Sequence, residues 1–129
     1  MCLDIITQTF DPPVVIEQWA WKVFCVNKTV KPPRPLCGLY YKFNGDYWNS
    51  HQVGWPRGEW LQAVQVPALA APVYMTGFHC YRTRSSARIV QRLGRHRRKV
   101  VKVKIRGVRL NGVQDGFQVL VADELFIPE

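Results

Sequence analysis

The run Lys99-Val100-Val101-Lys102-Val103-Lys104-Ile105-Arg106 restricts the fold more than any other part of the chain. Successive side chains of a strand point to opposite faces, so Val101, Val103 and Ile105 share one face while Lys102, Lys104 and Arg106 share the other. Wound into a helix, the same residues would mix apolar and charged groups around the circumference. The run is therefore expected to be a half-buried strand with an apolar inner face and a basic outer one.

It belongs to a longer basic segment. Between Arg82 and Arg109 lie twelve of the 18 Lys and Arg and none of the nine Asp and Glu, so the formal charge of +9 is concentrated there and the remainder is slightly acidic. Such a field favours an anionic partner such as nucleic acid, an acidic protein face or an anionic membrane, and the plain alternative is a solvated surface. Ahead of the strand, Thr83 or Ser85 is an expected N-cap for a short helix over Ser86 to Leu93, stopped by Gly94, with Ala87, Val90 and Leu93 facing the core. Arg84, Arg88, Arg92 and Arg95 recur at spacings of four, four and three along one side of it. Like charges so placed repel by a few tenths of a kcal/mol per pair, which a phosphate backbone outside the helix would offset. The expected partner-binding set is Arg84, Arg88, Arg92, Arg95, Arg97, Arg98, Lys99, Lys102, Lys104 and Arg106.

The remaining elements read as strands and turns. The segment "MCLDIITQTF" suits a short strand that Asp11-Pro12-Pro13 should stop, because proline lacks an amide donor and restrains the residue before it. The second half of Val14 to Val26 alternates Trp19, Trp21, Val23 and Cys25 with Ala20, Lys22, Phe24 and Val26, the pattern of a strand buried on both faces. Asn44-Gly45-Asp46 is a hairpin signal, and Gly54-Trp55-Pro56-Arg57-Gly58 a second turn. Val73 to Tyr81 reads as a strand, Asn111-Gly112 and Asp115-Gly116 as turns, and "FQVLVADELFIP" as one or two closing strands. With 129 residues, 47% of them apolar, residues 1–129 are expected to form a single α+β domain, mostly antiparallel sheet with one short basic helix.

Catalytic signals are weak. Cys2, Cys25, Cys37 and Cys80 are widely and irregularly spaced, as in reduced thiols of a cytosolic protein. His79 is the one weak catalytic candidate; its neighbour Cys80 should point to the opposite side of a strand, so the two are not expected to form a dyad or to share a metal. No metal, cofactor or membrane span is expected. Tyr40, Tyr41, Tyr47, Trp48, Trp55 and Trp60 read as core and turn packing, although rings exposed beside the basic strand would make base stacking reasonable.

"TGFHCYRTRSSA", then "KVVKVKIRGV", a Gly-bearing turn and "VLVADELFIP" resemble the end of many small phage and prophage proteins. Those also tend to begin Met-Cys-Leu and to place a Lys-Val-Phe-like strand ahead of Gly-Phe-His; residues 28–74 match little. The resemblance implies a mobile-element accessory protein that acts against a host defence system, and the basic surface from Arg84 to Arg109 then gives the expected function: non-catalytic binding of nucleic acid or a host nucleoprotein complex in the host cytoplasm. A protein-protein inhibitor of an acidic host surface is the alternative within that setting. The order of elements is also similar to the C-terminal half of ADP-ribosyltransferase-like domains. That similarity implies an NAD-dependent transferase or a degenerate relative, with Gly77-Phe78-His79 at the nicotinamide-stacking segment. Gln118 would stand where those enzymes carry a catalytic glutamate, and Lys22 where they carry a His or Arg.

Overall fold

The computed structural model describes residues 3–26, 36–38, 55–63, 72, 74–93 and 98–129. Its longest element is the 17-residue strand β6 (Arg98–Gln114), paired antiparallel with β7 (Phe117–Phe126) across the two-residue turn Asp115-Gly116. Both turn residues have positive φ, 52° and 84°, the mirror-image turn whose twist matches that of the strands it joins. The side chain of Asp4 accepts the Asp115 amide at 2.8 Å and pins the hairpin tip to the start of the chain.

The opposite edge of β6 carries two strands in succession. Residues 98–105 pair with β2 (Gln18–Val26), and residues 108–113 with β1 (Ile5–Val14). β5 (Phe78–Tyr81) lies between β2 and β7, β4 (Trp60–Gln62) lies along the end of β7, and β3 (Leu36–Gly38) pairs with β2. Since β6 pairs with both β2 and β7, and β5 also pairs with both, these four strands form a closed ring. Its narrow side is the single pair Trp21↔Tyr81 between β2 and β5. The one helix among the described residues, α1 (Arg84–Leu93), follows β5 directly.

Strand alternation sorts the apolar side chains into two cores. Ala20, Phe24, Trp55, Leu61, Phe78, Cys80, Val103, Ile105, Leu120, Ala122 and Leu125 pack in the first, where the Trp55 ring meets those of Phe24 and Phe78 edge-on at 5.5 and 5.6 Å. Leu3, Val23, Tyr74, Tyr81, Leu110, Val119 and Val121 form the second, covered by Ala87 and Val90 of α1. β7 supplies Leu120 and Ala122 to one and Val119 and Val121 to the other. A register shift between Val108 and Leu110 passes β6 from the first core to the second.

The basic strand and mainly antiparallel sheet agree with the sequence reading, and five details differ. β1 runs through Asp11-Pro12-Pro13 to Val14, because it is an outer strand whose register slips between Thr9 and Val14, and outer edges and bulges tolerate proline. β5 is confined to Phe78–Tyr81 rather than beginning at Val73. α1 begins at Arg84 rather than Ser86; Thr83 caps it, its hydroxyl oxygen accepting the Ser86 amide at 3.2 Å, and Leu93 is 72% exposed instead of buried. Steps of three residues lag the 3.6-residue turn, so a stripe begun at Ala87 and Val90 has rotated off the core by Leu93. β2 is buried on one face, while on the other Trp19 is 49% exposed. Asn111-Gly112 lies within β6 and not in a turn. The expected turn at Asn44-Gly45-Asp46 and the stop at Gly94 lie outside the described residues.

Gly112 stands where β1 crosses closest: a Cβ there would meet the Ile5 carbonyl oxygen and a Leu3 methyl, each at 2.5 Å. Gly112→Ala is expected to destabilise the fold by about 1–3 kcal/mol through this overpacking, read as a lower urea midpoint at unchanged slope.

Candidate functional site

The outward face of β6 does not stand alone. In an antiparallel pair, residues directly opposite one another share a face. Trp19 lies opposite Lys104, Lys104 opposite Phe126, and Phe126 opposite Trp60, so one row crosses β2, β6, β7 and β4 as ring, ammonium, ring, ring. A second row sets Trp21 opposite Lys102, and a third sets Arg106 opposite Glu124 and Glu124 opposite Gln62.

Side-chain contacts knit the rows together. The Lys102 and Lys104 ammoniums lie 4.7 and 5.1 Å from the centre of the Trp19 ring, and the Arg106 guanidinium lies 3.9 Å from that of Trp60. These are cation–π distances, worth about 0.5–1 kcal/mol each at exposed sites. Arg84, at the start of α1, reaches back to the Trp21 ring at 5.6 Å and joins the exposed arginines of the helix to the sheet face. Trp19 is the most open ring of the group, with Lys102 exposed beside it.

The expected partner-binding residues therefore divide. Lys102, Lys104 and Arg106 share this face, Arg84 overhangs it, and Arg88 and Arg92 are exposed on α1. Arg98 is committed to the fold: it donates to the Val90 carbonyl at 3.1 Å, while Gln91 donates to the Arg98 carbonyl at 3.0 Å, so the pair ties the helix end to β6. Lys99 lies opposite Phe24, on the other side of the sheet from Lys102 and Lys104. Arg106 is ion-paired with Glu124 and approaches Glu17 at 4.0 Å, which lowers the net charge at that end. Arg95 and Arg97 lie outside the described residues. Trp60, expected in the interior, is half-exposed on the sheet face, whereas Trp55 is fully buried as expected. Trp19 and Trp21 were legible as aromatic strand residues, but which face opened to solvent was not.

His79 and Cys80 separate as alternation requires. Cys80 packs in the first core, and the His79 ring meets Tyr74 of the second. Carbonyl oxygens only accept, so the 3.0 Å contact of Nδ1 with Gly77 O places the proton of the neutral ring on Nδ1. Nε2 then accepts the Tyr74 hydroxyl at 2.8 Å, and the Tyr74 oxygen accepts the Leu3 amide at 2.8 Å. Both ring nitrogens are engaged inside the protein. Burial pushes the imidazole pKa down to about 3, although the Gly77 carbonyl favours the charged form, and pushes the Cys80 thiol up to about 11, with Lys22 opposing. Neither group is poised for acid–base or nucleophilic chemistry at neutral pH.

Lys22, buried as its strand pattern predicts, turns into the first core and donates from Nζ to the His79 carbonyl at 2.9 Å, with the Trp55 ring 5.7 Å away. Burial holds its pKa below the ordinary amine range, and Cys80 opposes that shift. Phe78, at the position implied for nicotinamide stacking, is completely buried, and Gln118 is exposed beside a recess of about 180 Å³ lined also by Arg82 and Asn111. Among the described residues no cluster of three or more His, Cys, Asp or Glu could hold a metal ion, and no helix is long and apolar enough to cross a membrane.

The unfolded chain binds a proton at His79 below about 6.5, and the folded chain only near 3, so acidification should erode stability across this window by up to about 1.4 kcal/mol per pH unit. His79→Gln is expected to flatten the slope of unfolding free energy between about pH 6.5 and 5, measured by urea denaturation at stepped pH. No protein-family model, curated protein or solved structure matches the chain.

Proposed function

We propose that this protein binds single-stranded nucleic acid on the face formed by Trp19, Trp21, Lys102, Lys104 and Phe126, with the arginines of α1 extending the contact along the strand. The observation that carries this reading is the half-exposed Trp19 ring with two ammoniums close beside it, in a row that continues across four strands to Phe126 and Trp60. Every base has a π-face to lay on such a ring, and each phosphate beside it can pair with a lysine or arginine. Rings on a sheet surface reach bases only when the bases are unpaired, which favours a single strand over a duplex. The arginines at four-residue spacing on α1, repulsive by themselves, gain a phosphate backbone to neutralise them. An accessory role for a phage or other mobile element, acting on nucleic acid or a host nucleoprotein complex, is the setting this activity would serve.

Fluorescence anisotropy with short labelled single strands, titrated over a range of salt, tests the proposal. The logarithm of the affinity should fall linearly with the logarithm of salt concentration. Lys102→Gln and Lys104→Gln should each reduce that slope by about 0.7, the value for one phosphate contact on a single strand. Trp19→Ala should weaken binding by about 1–3 kcal/mol, the worth of one stacked base, with little change in slope. Binding that is absent at low salt, or indifferent to salt, overturns the reading.

A further inference from the structure

The aromatic rows end beside an open cleft of about 480 Å³, whose lining combines Pro12, Pro13 and Val15 with Arg106, Asp123 and Glu124. We propose that this cleft takes one unpaired guanine of the bound strand and gives the interface a base preference; the inference rests on the single-strand reading above.

The volume lies within the usual range for a small-molecule site, and the lining combines apolar walls with a few convergent polar groups. Arg106 belongs to both surfaces. Its guanidinium stacks on Trp60 at the edge of the ring rows and also lines the cleft, so a strand lying across Trp19 and Phe126 leads directly to it. The polar groups are held in place before any ligand arrives. Glu124 accepts from Arg106 Nε and from Gln62 Nε2, the latter at 2.8 Å, and Asp123 is held by Arg109 at 2.6 Å. Preorganised groups lose little freedom on binding. At Gly107 a Cβ would come 3.0 Å from that of Asp123, so the glycine leaves the floor between Arg106 and Asp123 uncovered.

The charge pattern selects the base. A guanidinium beside carboxylates offers donors next to acceptors. Guanine presents acceptors at O6 and N7, for which arginine is the usual partner, and donors at N1 and N2 that a carboxylate can accept. Adenine would turn its N6 amino group toward the arginine donors, and its N1 toward a carboxylate with no hydrogen between them. Uracil and thymine provide one ring N–H and no amino group, and cytosine places the N3 acceptor where the carboxylate requires a donor. The carboxylates also repel phosphate. They therefore favour a base at this end of the site and leave the backbone over Lys102, Lys104 and Arg84. Pro12, Pro13 and Val15 give the base an apolar surface; Val15 is 78% exposed and has room to accept it.

The experiment measures a ratio. Labelled oligothymidine strands of equal length, one unmodified and the others carrying a single guanine, adenine or cytosine at successive positions, are titrated with the full chain. One guanine position should raise affinity about tenfold over the unmodified strand, and adenine and cytosine there should not. Glu124→Gln should bring the guanine ratio close to one. Val15→Asp, at a site too exposed to unfold the chain, should reduce the same ratio by placing charge against the base. Lys104→Gln should weaken all strands and preserve the ratio. Salt-sensitive binding that is equal for all bases, or a guanine ratio that survives both Glu124→Gln and Val15→Asp, overturns the cleft assignment while leaving the platform standing. Failure of every strand to bind overturns both.

Discussion

The structure depends on β6 pairing along both edges at once. One edge runs with β7 from Lys104 to Gln114, and the other holds β2 and then β1, so the central strand of the ladder brings together segments from both ends of the chain. Backbone groups buried in the ring find partners across these ladders, which removes the largest cost of burying a strand on both faces. The pairing also fixes register. A slip of one residue would send Lys102 and Lys104 into the first core and Val103 and Ile105 into water, so the apolar alternation and the hydrogen-bond ladder enforce the same alignment.

Charge is divided between two environments. Lys22 and His79 are buried, and the interior favours their uncharged forms; Lys22 donates to the His79 carbonyl, and His79 bonds to the Gly77 carbonyl and the Tyr74 hydroxyl. This arrangement fixes β2 against β5 where their direct pairing is reduced to one residue pair. Outside, Lys102 and Lys104 rest over indole rings, so their charge stays available to an anionic partner. Arg106, Arg109 and the carboxylates of β7 neutralise one another at the far end of the sheet. The resulting surface is basic and aromatic at one end and mixed in charge at the other, a polarity that suits a ligand with distinct anionic and base-edge parts.

Several features of this arrangement were legible from residue pattern. The period-two run of β6, the Asp115-Gly116 turn, the Thr83 cap and the divergence of His79 from Cys80 all follow from local geometry that any strand or helix obeys. Others required the pairing of distant segments. Asn111-Gly112 has the composition of a turn, yet the glycine is needed because β1 passes within contact of it. Asp11-Pro12-Pro13 has the composition of a stop, yet the strand continues because its outer edge asks nothing of the missing amides. Neither fact is encoded within the few residues concerned.

The sequence alone determined that β6 would be a strand with lysines on one face, because alternation is a property of consecutive residues. It also determined that the basic charge would be gathered between Arg82 and Arg109. Only the tertiary structure decided what stands beside those lysines. Trp19 and Phe126 come to Lys104 from strands 85 residues before it and 22 after it, through hydrogen-bond ladders whose register no local pattern specifies. Alternation by itself already places Lys99 on the face opposite Lys102 and Lys104, whereas only the tertiary packing drew Arg98 into the helix end, where it donates to the Val90 carbonyl.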